Sequence, residues 1–328
     1  MKKVMEYLEE WERKRNELID LARELSWRNF GKRIFFFTPS FAPHENGVGG
    51  TDVFPSISIT GEFCSLNCDH CGGILLRTMK PALSPSDLIS ICEELKRKGA
   101  VGCLISGGCM PDGSVPLRRF LNAIREVKKK IGLKVIIHTG IIDPATAKEL
   151  GAIGIDAALI DVIGSEETLR KIYHIDANVE RYHSTLKAIK SSNIPLVPHI
   201  LIGLHYGMLK GEFKALEIIS NYDPSALVLI IFTPIRGTRM ASIQPPNPYD
   251  VTKVIVTARL LMPHIPITLG CMRPKRNLRS RIDTLAVKAG INGIAYPTTE
   301  AVNLSRELGL EILYSPLCCS QIFEAFQK

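Results

Sequence analysis

Residues 56–71 run Ser56-Ile57-Ser58-Ile59-Thr60-Gly61-Glu62-Phe63-Cys64-Ser65-Leu66-Asn67-Cys68-Asp69-His70-Cys71. The apolar, period-two segment at the start reads as a β-strand. The cysteines after it stand in C-x3-C-x2-C spacing. Three thiolates on one short loop can hold three corners of a cubane four-iron four-sulfur cluster, which leaves the fourth iron without a protein ligand and open to a small chelating molecule. The competing readings are a structural zinc site, a disulfide set, or three unrelated core cysteines. Zinc takes four ligands, and His70, lying between Cys68 and Cys71, would strain a tetrahedral site.

The chain has 328 residues, 45% of them hydrophobic, and nine are cysteine. That hydrophobic content suits a globular chain with a large core, and no uncharged apolar run reaches the length of a membrane span. Met1-Lys2-Lys3 leads into a charged, helix-like stretch without the apolar core and cleavage site of a secretory signal, so the expected location is cytoplasmic. In a reducing compartment, spaced thiols point to metal or cluster rather than disulfide. The formal charge of +8 suits an acidic protein partner or anionic cofactors. Nucleic acid is not expected, because the basic residues are scattered and no aromatic platform or nucleic-acid motif is interleaved with them.

From residue 56 onward, β-branched runs alternate with helical patterns, the signature of repeated βα units on a parallel sheet. Roughly eight strands can be counted. They centre on Ile57, Leu104, Ile136, Leu159, Ile200, Leu229, Thr268 and Ile294. Amphipathic stretches lie between them, among them Pro85 to Lys98, Leu117 to Lys130, Val179 to Ser191, Tyr249 to Leu261 and Arg279 to Ala289. Ser84 as N-cap, Pro85 at the first helical position and Asp87 in the first turn fit helix-start chemistry. The expected fold is a (β/α)8 TIM-type barrel, complete or nearly so, with its chemistry on the loops after the strands. Residues 1–55 form the N-terminal extension, with Lys3 to Arg28 as one charged helix and Phe35 to Asp52 as a Gly/Pro-rich segment covering the barrel's end. Residues 56–310 form the barrel, and 311–328 a cysteine-bearing tail returning over the rim, with fraying expected from Gln321 to Lys328.

Several residues fall at strand ends. Ser106-Gly107-Gly108 either lets the backbone approach a ligand or makes a tight βα turn. Asp161 ends the fourth strand and can meet ligand hydroxyls or the turn before Ser165. His138, at the end of the third strand, is a ligand group or a satisfied structural histidine. Pro234-Ile235-Arg236-Gly237-Thr238 follows the sixth strand as a tight turn. Of the remaining cysteines, Cys92 and Cys103 read as small buried residues. Cys109 and Cys271 point to the rim, and Cys318-Cys319 lies on the tail. Together these four are candidates for an auxiliary cluster; the alternative is a surface pair and a packed strand end. Arg236, Arg273 and Arg276 are candidates for orienting an anionic or peptide-linked substrate, or else are surface ion-pair residues.

The cysteine spacing and its position after the first strand resemble the radical S-adenosylmethionine (SAM) superfamily. In that family the methionine amino and carboxylate groups chelate the open iron, and reductive cleavage yields a 5′-deoxyadenosyl radical. The resemblance implies that Ser106-Gly107-Gly108 meets the methionine amino group. It also implies that Asp161 and Ile200 lie where ribose and adenine are held, and that Thr238 contacts the adenosyl group. Residues 30 to 320 resemble archaeal radical SAM proteins related to biotin synthase, most specifically one component of the two-protein archaeal-type lipoyl synthase. The phrases that carry this are Cys64 to Cys71, Ile200-Leu201-Ile202-Gly203-Leu204-His205-Tyr206-Gly207, Leu269-Gly270-Cys271-Met272-Arg273-Pro274 and Cys318-Cys319. The C-x4-C-x5-C motif of the single-protein lipoyl synthases is absent.

This likeness implies sulfur insertion at carbons 6 and 8 of a lysine-bound octanoyl group, with an auxiliary four-iron four-sulfur cluster as the sacrificed sulfur donor. The implied partners are a companion radical SAM chain, octanoylated carrier proteins and an electron donor such as ferredoxin. The alternatives are another biotin synthase-like reaction (a methylase, a mutase or a cofactor-assembly enzyme) and a non-catalytic cluster-binding scaffold.

Overall fold

Four helices begin with the same local device, a side-chain acceptor that satisfies the unpaired N–H groups of the first turn. Ser84 accepts from the Asp87 amide at 3.1 Å while Asp87 accepts from the Ser84 amide at 2.8 Å, and the helix Pro85–Arg97 follows. Asp143 caps Pro144–Ile153, Asn247 caps Pro248–Leu261 and Thr298 caps Thr299–Glu307. The computed structural model describes residues 2–38, 53–176 and 178–326.

Between these helices run β1 (Arg33–Phe37), β2 (Ser56–Ser58), β3 (Lys80–Pro81), β4 (Gly102–Ser106), β5 (Lys134–His138), β6 (Ala157–Asp161), β7 (Leu196–Ile202), β8 (Leu227–Ile231), β9 (Ile267–Leu269), β10 (Gly293–Ala295) and β11 (Glu311–Ser315). All pair in parallel in the order β11-β1-β10-β9-β8-β7-β6-β5-β4-β2-β3. The eight expected strands are β2 and β4 through β10. The expected closure is not formed. Among the described residues, β10 pairs with β1 instead of β2, and β11 extends that edge, so the sheet is a curled, open barrel.

Both faces of the sheet are apolar. Outward residues such as Ile57, Ile105, Ile137, Ile200 and Leu229 pack under the helices. Inward residues, Phe35, Ile136, Leu159, Val197 and Val228 among them, form a second core on the concave side. The tail fills that side. Instead of fraying, Cys319–Phe326 forms a 3-10 helix with Ile322 and Phe323 buried in the inner core. Its end is held by Lys134 Nζ on Glu324 Oε2 at 2.6 Å, and by Phe326 edge-on to Phe30 and Phe35, with ring centres 4.9 and 5.5 Å away.

The N-terminal extension also differs from expectation. It is two helices, Lys2–Glu9 and Trp11–Phe30, broken at Glu10. Trp11, Leu18, Ile19, Ala22 and Ser26 make a buried stripe at helical spacing, and that stripe packs the longer helix against Pro248–Leu261. Of the expected Phe35 to Asp52 segment, the first three residues end strand β1 (Arg33–Phe37), and residues 39–52 lie outside the described residues. Among the described residues, no helix is long and apolar enough to cross a membrane.

Phe323 is 5% exposed within the inner core. Phe323→Ala is expected to cost about 3 kcal/mol of stability through lost burial and a residual cavity. Urea unfolding followed by circular dichroism measures it.

Candidate functional site at the open end of the barrel

The cysteine loop leaves β2 and is pinned from three sides. Gly108 N donates to Thr60 Oγ1 at 2.7 Å, Ser65 N to the Cys109 carbonyl at 2.8 Å, and Cys109 N to Cys64 Sγ at 3.3 Å. A methyl group at Gly108 would fall 2.0 Å from the Phe63 carbonyl oxygen and 2.6 Å from Cys64 Cβ. Gly108 is therefore required first by the loop, which sits directly on the end of β4. Across the barrel mouth, Asp69 N donates to the Ile172 carbonyl at 2.9 Å. Asp69 Oδ1 accepts from Arg239 Nη1 at 2.7 Å and lies 3.0 Å from His174 Nε2, while His174 Nδ1 donates to the Leu66 carbonyl at 2.8 Å.

Cys64, Cys68, Cys71 and Cys109 share one small apolar nest with Leu66, Tyr173 and Ile175. Cys68 and Cys71 lie close enough for one thiol to donate to the other. That hydrogen bond favours the Cys71 thiolate and holds the Cys68 proton on. A low-lying thiolate is what metal ligation needs. The donors of Cys68, His70 and Cys71 all lie within 4.8 Å of one another, and Cys64 stands outside that set. The three cysteines are thus spread more widely than one ion requires.

Residues 58–215 match the family model of the radical SAM superfamily. Over 253 residues the chain is 24% identical to biotin synthase from Prochlorococcus marinus, covering 74% of each protein. Biotin synthase from Methanococcus aeolicus is 21% identical over 310 residues, covering 90% of this chain and 92% of that protein. Among solved structures, methylornithine synthase (PylB) superposes with a TM-score of 0.64 at 18% identity, over 95% of this chain and 91% of that one. The FeFe-hydrogenase maturase HydG gives 0.65 at 16%, covering 94% and 70%. Just under half of the chain thus matches the radical SAM family model, and the chain as a whole is similar, at low identity, to the biotin synthases.

The residues present fit the cluster and SAM that a radical SAM domain implies. Three thiol-bearing side chains converge on a loop already tethered at both ends, and a cleft of about 540 Å3 opens beside them, lined by Cys68, Gly72, Arg77, Arg236, Thr238 and Arg239. Thr238 and the exposed Arg236 are thereby brought to the cysteine loop, with Thr238 Oγ1 donating to the Ile235 carbonyl at 2.8 Å within its own turn. Ser106 pairs with Ser58 at the strand ends, and its carbonyl accepts from Ile59 N at 2.8 Å.

Asp161 and His138 meet at the mouth of the concave side, 3.5 Å apart. They line a small cavity with Leu66, Cys109 and Tyr173. Burial alone would push Asp161 up, but the adjacent His138 brings it to about 2. Burial likewise works against His138, and Asp161 wins, raising the imidazole above its usual 6.5. Next to this pair, His199 packs edge-on to the His138 ring, the centres 5.8 Å apart, and burial takes it down to about 4.

Three expected site residues are placed elsewhere. Ile200 is 1% exposed in the outer core, because strand alternation turns it toward the helices and His199 inward. Arg273 is fully buried and structural. Its Nε donates to Asp283 at 2.9 Å and its Nη2 to the Ala295 carbonyl at 2.7 Å, and it also reaches the Gly270 carbonyl, tying the ends of β9 and β10 together. Arg276 is exposed at the start of the helix Arg276–Lys288, with φ of 59°. The four auxiliary candidates also divide. Cys109 belongs to the cluster-loop nest, whereas Cys271, Cys318 and Cys319 lie near enough to raise or lower one another's ionisation. Cys92 and Cys103 are buried together between sheet and helix, as expected.

Two outcomes follow from this geometry. Gly108→Ala should unseat the cysteine loop and remove about four irons per chain from the reconstituted protein, read by iron analysis. In the iron-free protein, NMR titration should place His138 above 6.5 and His199 near 4, and Asp161→Asn should drop His138 below 6.5, since burial is then unopposed. Because the folded value of His138 is raised, the stability it draws from Asp161 is present at lower pH and is lost as pH rises through that value.

Proposed function

We propose that this chain inserts sulfur into a protein-bound octanoyl-lysine, as one component of a two-protein lipoyl synthase. The observation that carries this reading is the placing of Cys318 and Cys319 in the core on the concave side of the sheet, apart from the Cys64/Cys68/Cys71 loop, with the exposed Cys271 near enough to act on their ionisation. A second set of thiols inside the barrel is what a sacrificed sulfur source needs. Similarity to the biotin synthases supports the same class of chemistry.

When bound, the cluster and SAM supply a radical able to remove hydrogen from an unactivated carbon, and an auxiliary cluster supplies the sulfur. The protein's work is holding and excluding. Cys64, Cys68 and Cys71 offer three corner ligands, and Gly108 lets the loop lie against β4 so that those corners are rigid. Arg236 and Thr238 line the adjoining cleft, where a cofactor carboxylate or hydroxyl can be met. His138 and Asp161 lie 3.5 Å apart at the mouth of the concave side, whose largely apolar inner core of Phe, Ile, Leu and Val side chains keeps water out. The companion radical SAM chain, the octanoylated carrier protein and a ferredoxin-like electron donor are the partners this reading requires.

Anaerobic reconstitution tests it. The wild type should bind about eight irons and the Cys64/Cys68/Cys71→Ala variant about four. With SAM, reductant and the companion chain, an octanoyl-lysyl peptide should gain sulfur by mass spectrometry. A fall from about four irons to none would remove the sulfur donor and sink the proposal.

A further inference from the structure

Folding removes the strain that the position of His70 in the chain would bring to a single-ion site. Residues 68–72 close one turn, in which the amides of Cys71 and Gly72 both donate to the Cys68 carbonyl, at 3.2 and 2.8 Å, and this turns the Cys68 and Cys71 side chains to one side. The His70 ring lies against Tyr173, with centres 5.2 Å apart and planes tilted by 37°. One ligating atom each from Cys68, His70 and Cys71 then falls within 4.8 Å of the other two. Tetrahedral zinc holds such atoms about 3.5–3.8 Å apart, so a movement of about 1 Å closes the set. The Nδ1 of His70 is buried and has no hydrogen-bond partner among the described residues. A buried polar atom in that state calls for a partner, and beside two thiols a metal ion is a fitting one.

We infer that in the cluster-free protein Cys68, His70 and Cys71 form a binding site for one zinc ion, with the fourth position left to water. This ligand set differs from that of the cluster by one exchange. Cys64, the third cluster corner, stands outside it, with its Sγ accepting from the Cys109 amide at 3.3 Å, and His70 takes its place. Two thiolates and an imidazole suit zinc in softness, and three protein ligands with one open position is an arrangement zinc adopts. Binding ionises both thiols, releases their protons to solvent and transfers no electron. The other polar side chains over the loop are engaged elsewhere, His174 with the Leu66 carbonyl and Asp69, and Asp69 with Arg239. Because Cys68 and Cys71 serve both metals, zinc and the cluster exclude each other. Zinc is thus an inhibitor of cluster assembly that acts through a residue the cluster does not use. The site stands apart from the inner thiols, so neither it nor its test depends on sulfur insertion.

The full chain, stripped of metal and kept reduced without oxygen, is titrated with zinc against a chromophoric chelator. Zinc affinity should fall more than about tenfold in His70→Ala, His70→Asn and Cys68→Ala, and stay within about twofold in Cys64→Ala. Zinc-edge X-ray absorption of the wild type at one equivalent should show two sulfurs and one imidazole. Reconstitution with iron and sulfide should separate the two sets in the opposite sense, His70→Ala binding as much iron as the wild type and Cys64→Ala about four irons fewer. One equivalent of zinc added beforehand should withhold about four irons from the wild type and none from His70→Ala. Zinc affinity unchanged in His70→Ala or in Cys68→Ala, affinity lost in Cys64→Ala, or three sulfurs at the zinc edge overturns the site. Loss of iron together with zinc from both His70 variants also overturns it, since His70 would then belong to the seat of the cluster itself.

Discussion

An open parallel sheet with apolar side chains on both faces must have both faces covered. Helices cover the convex face here, as in any βα repeat. The concave face, left incomplete because β10 joins β1 rather than β2, is covered by the chain's own last turn, where Ile322 and Phe323 pack among Phe35, Ile136 and Leu159. Hydrophobic burial of that turn therefore does two things at once. It completes the core, and it carries Cys318, Cys319 and Ser320 into the barrel beside Cys271 and His199.

A second contact of the same kind governs the other end of the chemistry. Strand β4 ends in a glycine pair against which the cysteine loop lies without room for a methyl group. From there the loop is drawn over the barrel mouth and tethered by Asp69 to Arg239 and His174, residues from loops far apart in sequence. The cysteines thus stand on a strap fixed at both ends. Such bracing suits a site that must hold reacting groups in one geometry.

Between the two thiol sets lies a polar line in an otherwise apolar interior. Asp161 and His138 form a charged pair at 3.5 Å, and His199 packs against His138 while reaching Ser320. Two histidines in ring contact thus differ in ionisation because only His138 is within ion-pair distance of Asp161, whose pull on His199 does not overcome that ring's burial. The same inward phase of adjacent strands that brings these rings together turns Ile200 into the helix layer.

The eight barrel strands, the capped helix starting at Pro85, and the Cys64/Cys68/Cys71 loop with its glycine counterpart were legible in the chain before folding, because each is written within a few residues. Strand periodicity, caps and ligand spacing act locally. Which face His199 and Ile200 take was readable from alternation, once the inward phase of β7 is known. Only the tertiary structure decided that the sheet stays open, that Arg273 is an internal tie, that Cys109 parts from Cys271, and that the tail is a plug rather than a frayed end. Those outcomes rest on which distant surfaces bury one another, as Phe323 shares one core with Phe35 and Val197 and Arg273 reaches the Ala295 carbonyl, and neither segment alone carries a pattern for such contacts.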